Sequence, residues 1–405
     1  MDVVFIAAAY PPEMPQFARG LAAVGARVHG IGSGPASGLC ATAKAALTSY
    51  LQVPSLMNEQ DVLERATTWL RGRNVDRVES LWEPTVLLAA RMRERFGIPG
   101  MSVDTVAGFR DKQLMKERIA AAGIRVPHSA RCRTTTECRA AAERIGYPLI
   151  IKPIDGAGSA NTYRLESSAE LERVLPHLTR VPEVSVEEFI DGEEFTHDTI
   201  CIEGTPVYEN VAQYLPRPLI ARSEHDISPV ICTVRDLAQP AVAAGLQLGR
   251  RVLRALSMGT GFTHLEWYRK SDGEVVFGEV GCRVGGARLV DQMNYSSDCD
   301  LYVEWARAVC WHAFEADTTR HHNVAIIFKR AQGQGRITKI AGLQALLDRF
   351  RPWICDVDLL PVGAKRRDWT QTLVSDGYVI LRHPEWGKAL AMADAVANEV
   401  KLFAE

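Results

Sequence analysis

Two short apolar runs near the middle of the chain each contain a glutamate, and they read Phe262-Thr263-His264-Leu265-Glu266 and Phe277-Gly278-Glu279-Val280-Gly281. The turn signal Ser271-Asp272-Gly273 lies between them, so the runs are predicted to pair as a β-hairpin with Glu266 and Glu279 side by side. Two neighbouring carboxylates need a counter-ion. Mg²⁺ binds through one or two carboxylates and keeps phosphate oxygens and water as its other ligands. The pattern therefore indicates a magnesium site, although a solvated hairpin also carries such acids by chance.

A second segment combines a cation with a loop of small residues. Residues 147–153 have the pattern of a buried strand that carries Lys152, and residues 154–162 are rich in glycine and small polar residues. Glycine lets backbone N–H groups approach an anion, and Ser159 adds a hydroxyl, so this loop is predicted to cover phosphates as a lid. It lacks the Gly-Lys-Ser/Thr ending of a Walker loop. An ordinary glycine turn is the alternative, but a lysine that closes an apolar strand usually has an anionic partner.

A further lysine lies at the start of a predicted amphipathic helix. Residues 111–124 place Leu114, Met115 and Ile119 on one face, with a glycine near the end. Most lysines in the position of Lys112 belong to a solvated helix end. The order along the chain, with Lys112 ahead of the other motifs, favours a shared site.

Taken in order, these motifs resemble the ATP-grasp superfamily, and specifically its carboxylate–amine ligases. The pattern comprises Asp-Lys-x-x-Met-Lys at residues 111–116, Ile-Lys-Pro at 151–153, an acidic run at 187–195, and Glu266 and Glu279 followed by Arg283. In length and in the Arg-x-Gly-Gly sequence at 283–286 the chain is also similar to L-amino-acid (dipeptide) ligases. Together the motifs are far more specific than any one of them.

The resemblance implies a role for each matching residue. The residues expected to bind ATP are Lys112, Lys152, Ser159, Glu187, Glu188, Phe189 and Glu194. The lysines and the serine would contact the phosphates, the backbone of residues 187–189 would hydrogen-bond adenine, and Glu194 would bind the ribose hydroxyls. Glu266 and Glu279 would hold Mg²⁺, with Mn²⁺ as an alternative. The expected catalytic residues are Lys152, Glu279 and Arg283, and the arginine would face the transferred phosphate and the oxyanion. Many family members carry an asparagine where this chain has Gly281, which leaves the number of metal ions open.

The resemblance also implies a reaction. An ATP-dependent ligase would phosphorylate a substrate carboxylate and couple the acyl phosphate to an amine, with release of ADP and phosphate. Amino acids are the expected substrates. Two alternatives stay open: a biotin-carboxylase-like enzyme that activates bicarbonate, and a catalytically silent ATP-binding scaffold. The first shares every nucleotide residue, whereas the second would require the loss of a metal acid or a lysine.

Four units are predicted, with α/β and α+β architecture arranged as an ATP-grasp fold. Residues 1–105 alternate strands and helices in a βαβ, Rossmann-like pattern, and residues 106–190 contain a linker helix and a small α+β lid. Residues 191–320 are predicted to form the antiparallel catalytic and metal-binding domain, and residues 321–405 a C-terminal α+β segment. The polar stretch at 215–229 is predicted to be a surface loop that could contact substrate.

Composition limits the remaining functional classes. The 405 residues are 47% hydrophobic, which exceeds what a single core usually carries. A net charge of −2 gives no basic surface for nucleic acid. No apolar run reaches the roughly 18 residues of a membrane helix, and the N-terminus lacks the pattern of a signal peptide. The nine cysteines form no Cys-x-x-Cys pair and are expected to be reduced. A cytoplasmic location is therefore expected, and a homodimer is left open.

Overall fold

The structure is a computed structural model that describes residues 1–154, 161–178, 180–369, 372 and 374–405. Its strands form a parallel N-terminal sheet, a small antiparallel sheet, a large antiparallel sheet of eight strands and a three-stranded sheet near the C-terminus. Among the helices of the described residues, none is long and apolar enough to cross a lipid bilayer.

The N-terminal sheet has the predicted βαβ arrangement. Its strands are β1 (Asp2–Ile6), β2 (Arg27–Gly32), β3 (Leu47–Gln52) and β4 (Arg77–Ser80). The helices that connect and follow them are α1 (Met14–Ala23), α2 (Ala41–Ala46), α3 (Glu59–Trp69) and α4 (Val86–Phe96). The order β3-β2-β1-β4 places β1 inside the sheet, and all five of its residues are buried. Four of these five residues are apolar, and such a run is typical of a parallel strand that is covered on both faces.

The second sheet forms a small α+β unit. Two consecutive helices lead into it, α5 (Val103–Arg110) and α6 (Lys112–Ala121). Its strands are β5 (Ser129–Cys132), β6 (Leu149–Pro153), β7 (Tyr163–Leu165) and β8 (Val184–Glu188), and its helices are α7 (Thr135–Ile145) and α8 (Ser168–Val174). A capping box is present at α7, where Thr134 and Glu137 hydrogen-bond each other's backbone N–H. The strand order β5-β8-β6-β7 places β6 and β8 at the centre.

The large sheet carries most of the remaining chain. Its first strands are β9 (Glu193–Ile202), β10 (Thr205–Leu215), β11 (Val230–Thr233), β12 (Gly261–Arg269), β13 (Val275–Gly281) and β14 (Asn323–Phe328). The helices among them are α9 (Pro218–Ser223), α10 (Pro240–Ala255), α11 (Leu289–Ser297) and α12 (Leu301–Trp311). Helix α10 begins at Pro240 because proline favours the first helical turn and disfavours helix before it.

The C-terminal residues extend this sheet and add a smaller one. They form β15 (Gln332–Gly333), β16 (Ile337–Ala341), β17 (Ile354–Leu359), β18 (Gly377–His383) and β19 (Lys401–Ala404), with α13 (Leu343–Phe350) and α14 (Trp386–Glu399). The large sheet has the order β13-β12-β9-β10-β11-β14-β18-β17. It therefore continues without a break across residue 320, and the division of the chain into four units stays a prediction.

Helix α10 approaches the large sheet closely because it presents two glycines one turn apart. A Cβ atom at Gly249 would overlap the ring of His197, and one at Gly245 would overlap the ring of Trp267. Both rings are fully buried, so neither can move aside into solvent. The two glycines therefore set the distance between the helix and the sheet.

We expect Gly249→Ala to lower the free energy of unfolding by about 1–3 kcal/mol, because the added methyl group overpacks a rigid core. Urea unfolding measures this change. Gly387→Ala is the matched control: it lies in α14, is exposed and has no atom within 4 Å of the added Cβ. The control should be neutral or stabilising by up to about 1 kcal/mol. Equal stability of the two variants would contradict this account of the packing.

A buried ion pair joins two neighbouring strands of the large sheet. His264 on β12 is opposite Asp198 on β9, and His264 Nδ1 lies 2.5 Å from Asp198 Oδ1. His264 Nε2 lies 3.6 Å from Glu266 Oε1. Burial alone would lower the pKa of His264, but the charge and hydrogen bond of Asp198, together with the nearby carboxylate of Glu266, raise this pKa to about 9. The imidazole is therefore a cation at neutral pH.

This raised pKa predicts a pH-dependent stability. In protein freed of divalent ions, the contribution of the His264 cation is fully present below its unfolded pKa of 6.5 and is lost as the pH rises through about 9. The loss should reach roughly 3 kcal/mol. The double variant Asp198→Asn, His264→Gln removes both charges, so the difference between its pH profile and that of the parent chain isolates this pair. Parallel urea-unfolding profiles from pH 6 to pH 9.5 would disprove the assignment.

Candidate active site

A cleft lies between the β12–β13 hairpin, the small sheet and the residues that follow β4. The charged side chains on its wall are Glu83, Lys112, Lys152, Glu187, Glu188, Glu194, Arg217, His264, Glu266, Glu279 and Arg283. Apolar side chains complete it, including Ile150, Phe189, Ile190, Leu219 and Tyr268. Every sequence-predicted site residue that the structure describes therefore borders one cavity. Ser159 and the glycines of the predicted lid loop lie outside the described residues.

The two glutamates of the hairpin stand directly opposite each other. Glu266 on β12 pairs with Glu279 on β13, so both side chains project from one face of the sheet. Their side chains are about one-third exposed, at 30% and 32%. Tyr214 Oη donates to Glu266 Oε1 at 3.3 Å. Within the described part of the chain, no group of three or more His, Cys, Asp or Glu side chains could hold a metal ion. This pair of acids fits a divalent ion that takes its other ligands from phosphate and water.

Two lysines face the second glutamate from different elements. Lys112, the first residue of α6, has Nζ 3.2 Å from Glu279 Oε1. Lys152 on β6 has Nζ 3.6 Å from Glu279 Oε2. The structure thus brings together the four groups that the sequence motifs single out, two acids and two lysines. Their roles towards nucleotide and metal stay predictions.

Lys152 also forms an ion pair with a second, buried carboxylate, that of Glu187. Glu187 Oε2 lies 3.1 Å from Lys152 Nζ, and Glu187 Oε1 forms a close ion pair with Lys116. Burial would raise the pKa of Glu187, but the two lysines hold this pKa well below its ordinary value. Burial lowers the pKa of Lys116 to about 8, whereas Glu187 and Glu279 together overcome burial and raise the pKa of Lys152. The sequence reading gave Lys116 no role and gave Glu187 only a backbone contact.

Two backbone N–H groups of the predicted adenine-binding segment already have acceptors within the protein. Glu188 N–H donates to His128 O at 2.8 Å, and Phe189 N–H donates to Pro148 O at 3.3 Å. The carboxylate of Glu188 accepts from Arg125 Nη2 at 2.7 Å. Adenine would therefore meet carbonyl oxygens here or the N–H of Ile190, for which the described hydrogen bonds include no acceptor. The adenine contact expected from the backbone of residues 187–189 stays a prediction. The N–H of Ile190, one residue beyond that segment, is an available donor.

The predicted ribose-binding acid is buried and paired. Glu194 is 5% exposed, and its Oε2 lies 3.0 Å from Arg217 Nε. Burial and the charge of Glu266 raise the pKa of Glu194 to about 7, although Arg217 acts in the opposite direction. The sequence analysis did not single out Arg217 for this position.

A glutamate that follows strand β4 forms an ion pair with Arg283. Glu83 Oε2 forms a close ion pair with Arg283 Nε, and Glu83 Oε1 lies 2.5 Å from Arg110 Nη1. Burial would raise the pKa of Glu83, but the two arginines lower it to about 2. A Cβ atom at Gly281 would lie 3.0 Å from Glu83 Oε2, so the missing side chain at 281 makes room for this carboxylate.

Sequence reasoning missed Glu83. One signal was available: it follows β4, and ligands of parallel sheets bind beyond the carboxyl ends of the strands.

Comparisons with known proteins agree with this geometry. A protein-family model described as an ATP-grasp domain matches residues 145–291. The chain is 29% identical over 234 residues to an L-arginine-specific L-amino acid ligase of Bacillus subtilis, which covers 56% of this chain and 56% of the relative. It is 26% identical over 267 residues to an alanine–anticapsin ligase of Bacillus subtilis (strain 168), which covers 60% of this chain and 56% of the relative. These matches thus span just over half the length of each curated relative.

A solved structure extends the similarity to the whole fold. An L-amino acid ligase from Bacillus licheniformis matches with a TM-score of 0.82 at 20% sequence identity, and the match covers 100% of this chain and 98% of that one. The expected fold class, with its parallel N-terminal sheet and its antiparallel sheets, is confirmed. Residues 145–291 thus match an ATP-grasp domain, and the chain is similar in sequence and in fold to L-amino acid ligases.

Proposed function

We propose that this protein is an ATP-dependent ligase that joins the carboxylate of one amino acid to the amine of another and releases ADP and phosphate. The observation that carries the proposal is the convergence of Glu266, Glu279, Lys112, Lys152 and Arg283 on one cleft. The names of the two curated relatives support amino acids as the substrate class.

The side chains of the cleft fit phosphoryl transfer, in which catalysis consists mainly of positioning and charge neutralisation. Glu266 and Glu279 would hold Mg²⁺, which neutralises phosphate oxygens when it is bound. Lys112 and Lys152 would take the phosphate chain of ATP. Both lysines now lie beside Glu279, so phosphate would replace one carboxylate as their anionic partner.

The acceptor side of the reaction is assigned to Arg283 and Glu83. The guanidinium of Arg283 would stabilise the oxyanion that forms when an amine attacks the acyl phosphate. Glu83 stays ionised at neutral pH because its pKa is about 2, so it is a poor general base. Its carboxylate, which is paired with both Arg110 and Arg283, instead orients the guanidinium of Arg283.

The comparisons do not favour the two alternatives. A silent scaffold would lack a metal acid or a lysine, and all four side chains line the cleft. A bicarbonate-activating enzyme would share the nucleotide residues, but the curated relatives described above are named as ligases of amino acids or alanine.

We expect the protein to form an amino acid hydroxamate from ATP, Mg²⁺, hydroxylamine and an amino acid in the absence of a second amine. Glu279→Gln and Lys152→Ala should each lower this rate at least 100-fold, because each removes a charge that stabilises the transferred phosphate. Ferric-ion detection of hydroxamate across the amino acids measures the rate. Circular dichroism should show an unchanged fold.

The matched controls are Glu64→Gln and Lys44→Ala, which change the same residue types at exposed positions outside the cleft wall. Both should retain the parent rate. Near-normal activity of Glu279→Gln would overturn the metal assignment. Absence of hydroxamate with every amino acid would overturn the proposed function.

Gly281→Ala tests the contact between Arg283 and Glu83. The added methyl group would lie 3.0 Å from Glu83 Oε2 and 3.4 Å from Arg283 Nε, so one of these groups must move. We expect kcat to fall about 10-fold and the KM for ATP to change little, since an ångström of misplacement costs that much or more. Gly387→Ala serves again as the control. An unchanged kcat would show that the spacing of this pair does not matter.

A further inference from the structure

The loop from residue 216 to residue 229, between β10 and β11, reaches the cleft with one end and the C-terminal residues with the other. Arg217, Pro218 and Leu219 line the cleft. The loop contains α9 and rejoins the sheet at Val230. The sequence analysis predicted that this stretch could contact substrate, but it assigned a role to no single residue.

Arg217 bridges two parts of the cleft with opposite edges of its side chain. Its Nε lies 3.0 Å from Glu194 Oε2, and its Nη1 donates to Ile190 O at 2.8 Å. The centre of the guanidinium lies 4.9 Å from the ring centroid of Phe189 and 4.7 Å from that of Tyr268. The side chain of Arg217 is only 15% exposed. A planar group is thus fixed by two aromatic rings and two hydrogen bonds.

The partners of Arg217 belong to two segments that are expected to contact different parts of a nucleoside. Ile190 follows the segment that is expected to meet adenine, and Glu194 is the acid expected to bind ribose. The planar guanidinium of Arg217 contacts both Ile190 and Glu194 and therefore fixes the distance between them. A lysine cannot do so, because its ammonium is a point charge on a flexible side chain.

We propose that Arg217 is a positioning residue for the nucleoside half of ATP, and that it sets the preference of the site for a ribose with both hydroxyl groups. This inference rests on the proposed ATP-dependent function. Arg217 holds the Glu194 carboxylate where both hydroxyl groups of the sugar can donate to it. When the carboxylate is displaced, the hydroxyl groups lose their acceptor and a deoxyribose binds nearly as well.

The C-terminal residues hold this loop in place. Arg330 Nη1 donates to Glu224 O at 2.6 Å. Arg366 Nη2 lies 3.2 Å from His225 Nε2, and Lys329 Nζ lies 2.9 Å from Ser228 Oγ. The ring of His225 also meets the ring of Trp369 at 5.7 Å between centroids. The position of Arg217 therefore depends on side chains of residues 321–405, which gives that segment a role in nucleotide recognition.

The test is calorimetric binding of Mg–ATP, Mg–2′-deoxy-ATP and Mg–3′-deoxy-ATP to the full chain. Arg217→Lys should weaken ATP binding about 10-fold, because it removes hydrogen bonds to a charged group and to a carbonyl. The preference for ATP over each deoxy analogue should fall at least 5-fold. Glu194→Gln should lose the same preference. The double variant should lose no more of this preference than the more severely affected single variant, since both substitutions act on one interaction.

Arg164→Lys is the matched control. The Arg164 guanidinium also lies over the Phe189 ring, at 4.0 Å, but it is exposed and forms an ion pair with Glu166. It should keep the parent preference. His225→Ala, which loosens the loop far from the nucleotide, should lower the preference in the same direction but less. It also replaces Arg217→Lys if that variant fails to fold.

Each outcome separates this inference from the proposed function. Parent-like preference for ATP over both deoxy analogues in Arg217→Lys would overturn the inference, and so would an equal loss in Arg164→Lys. Neither result bears on the proposed ligase activity. Selective loss in Arg217→Lys in a protein that forms no hydroxamate would instead retain the nucleotide role and reject the ligase.

Discussion

The site depends on a row of alternating charges that crosses three structural elements. Lys116 and Lys112 lie on α6, Glu187 and Lys152 lie on the small sheet, and Glu279 lies on the large sheet. In the row, each inner charge has an opposite charge on both sides, which offsets much of the desolvation cost of burying it. The row joins the helix to both sheets at the cleft. It also orients Lys152 without any bound ligand, because the lysine is held by one carboxylate beneath it and another beside it.

The same row balances the charges of the cleft. Glu279 is neutralised by two lysines that are expected to serve phosphate, so the acid and the cations shield each other before nucleotide binds. Arrival of a polyphosphate with a divalent ion would exchange both partners at once. The lysines would gain phosphate oxygens and the acid would gain the metal, so no buried charge is left without a partner. Glu83 provides similar neutralisation for Arg283 on the acceptor side.

Local patterns predicted the parts of the site that are formed by neighbours in sequence. The hairpin of Glu266 and Glu279 was predictable because a turn signal separates two strand-like runs, and Lys112 was predictable at the start of an amphipathic helix. Long-range contacts were not. Glu83 and Arg283 are 200 residues apart, so nothing in either local sequence indicates the pair.

Arg217 lies in an irregular loop, where spacing carries no periodic signal. The sequence analysis also missed β3, whose residues are mostly half-buried and lack strict alternation. It could not show that β14, β17 and β18 join the large sheet, because strand pairing depends on tertiary topology.

The continuity of that sheet has a consequence for truncation. A chain cut at residue 320 would leave β11 without β14, which pairs with it along Val230, Ile231 and Cys232. All four residues of β11 are buried, so the cut would create a bare apolar edge with unsatisfied backbone groups. Such an edge invites strand addition by a second molecule and aggregation. Residues 321–405 thus cover the edge of the large sheet and also support a loop that lines the cleft.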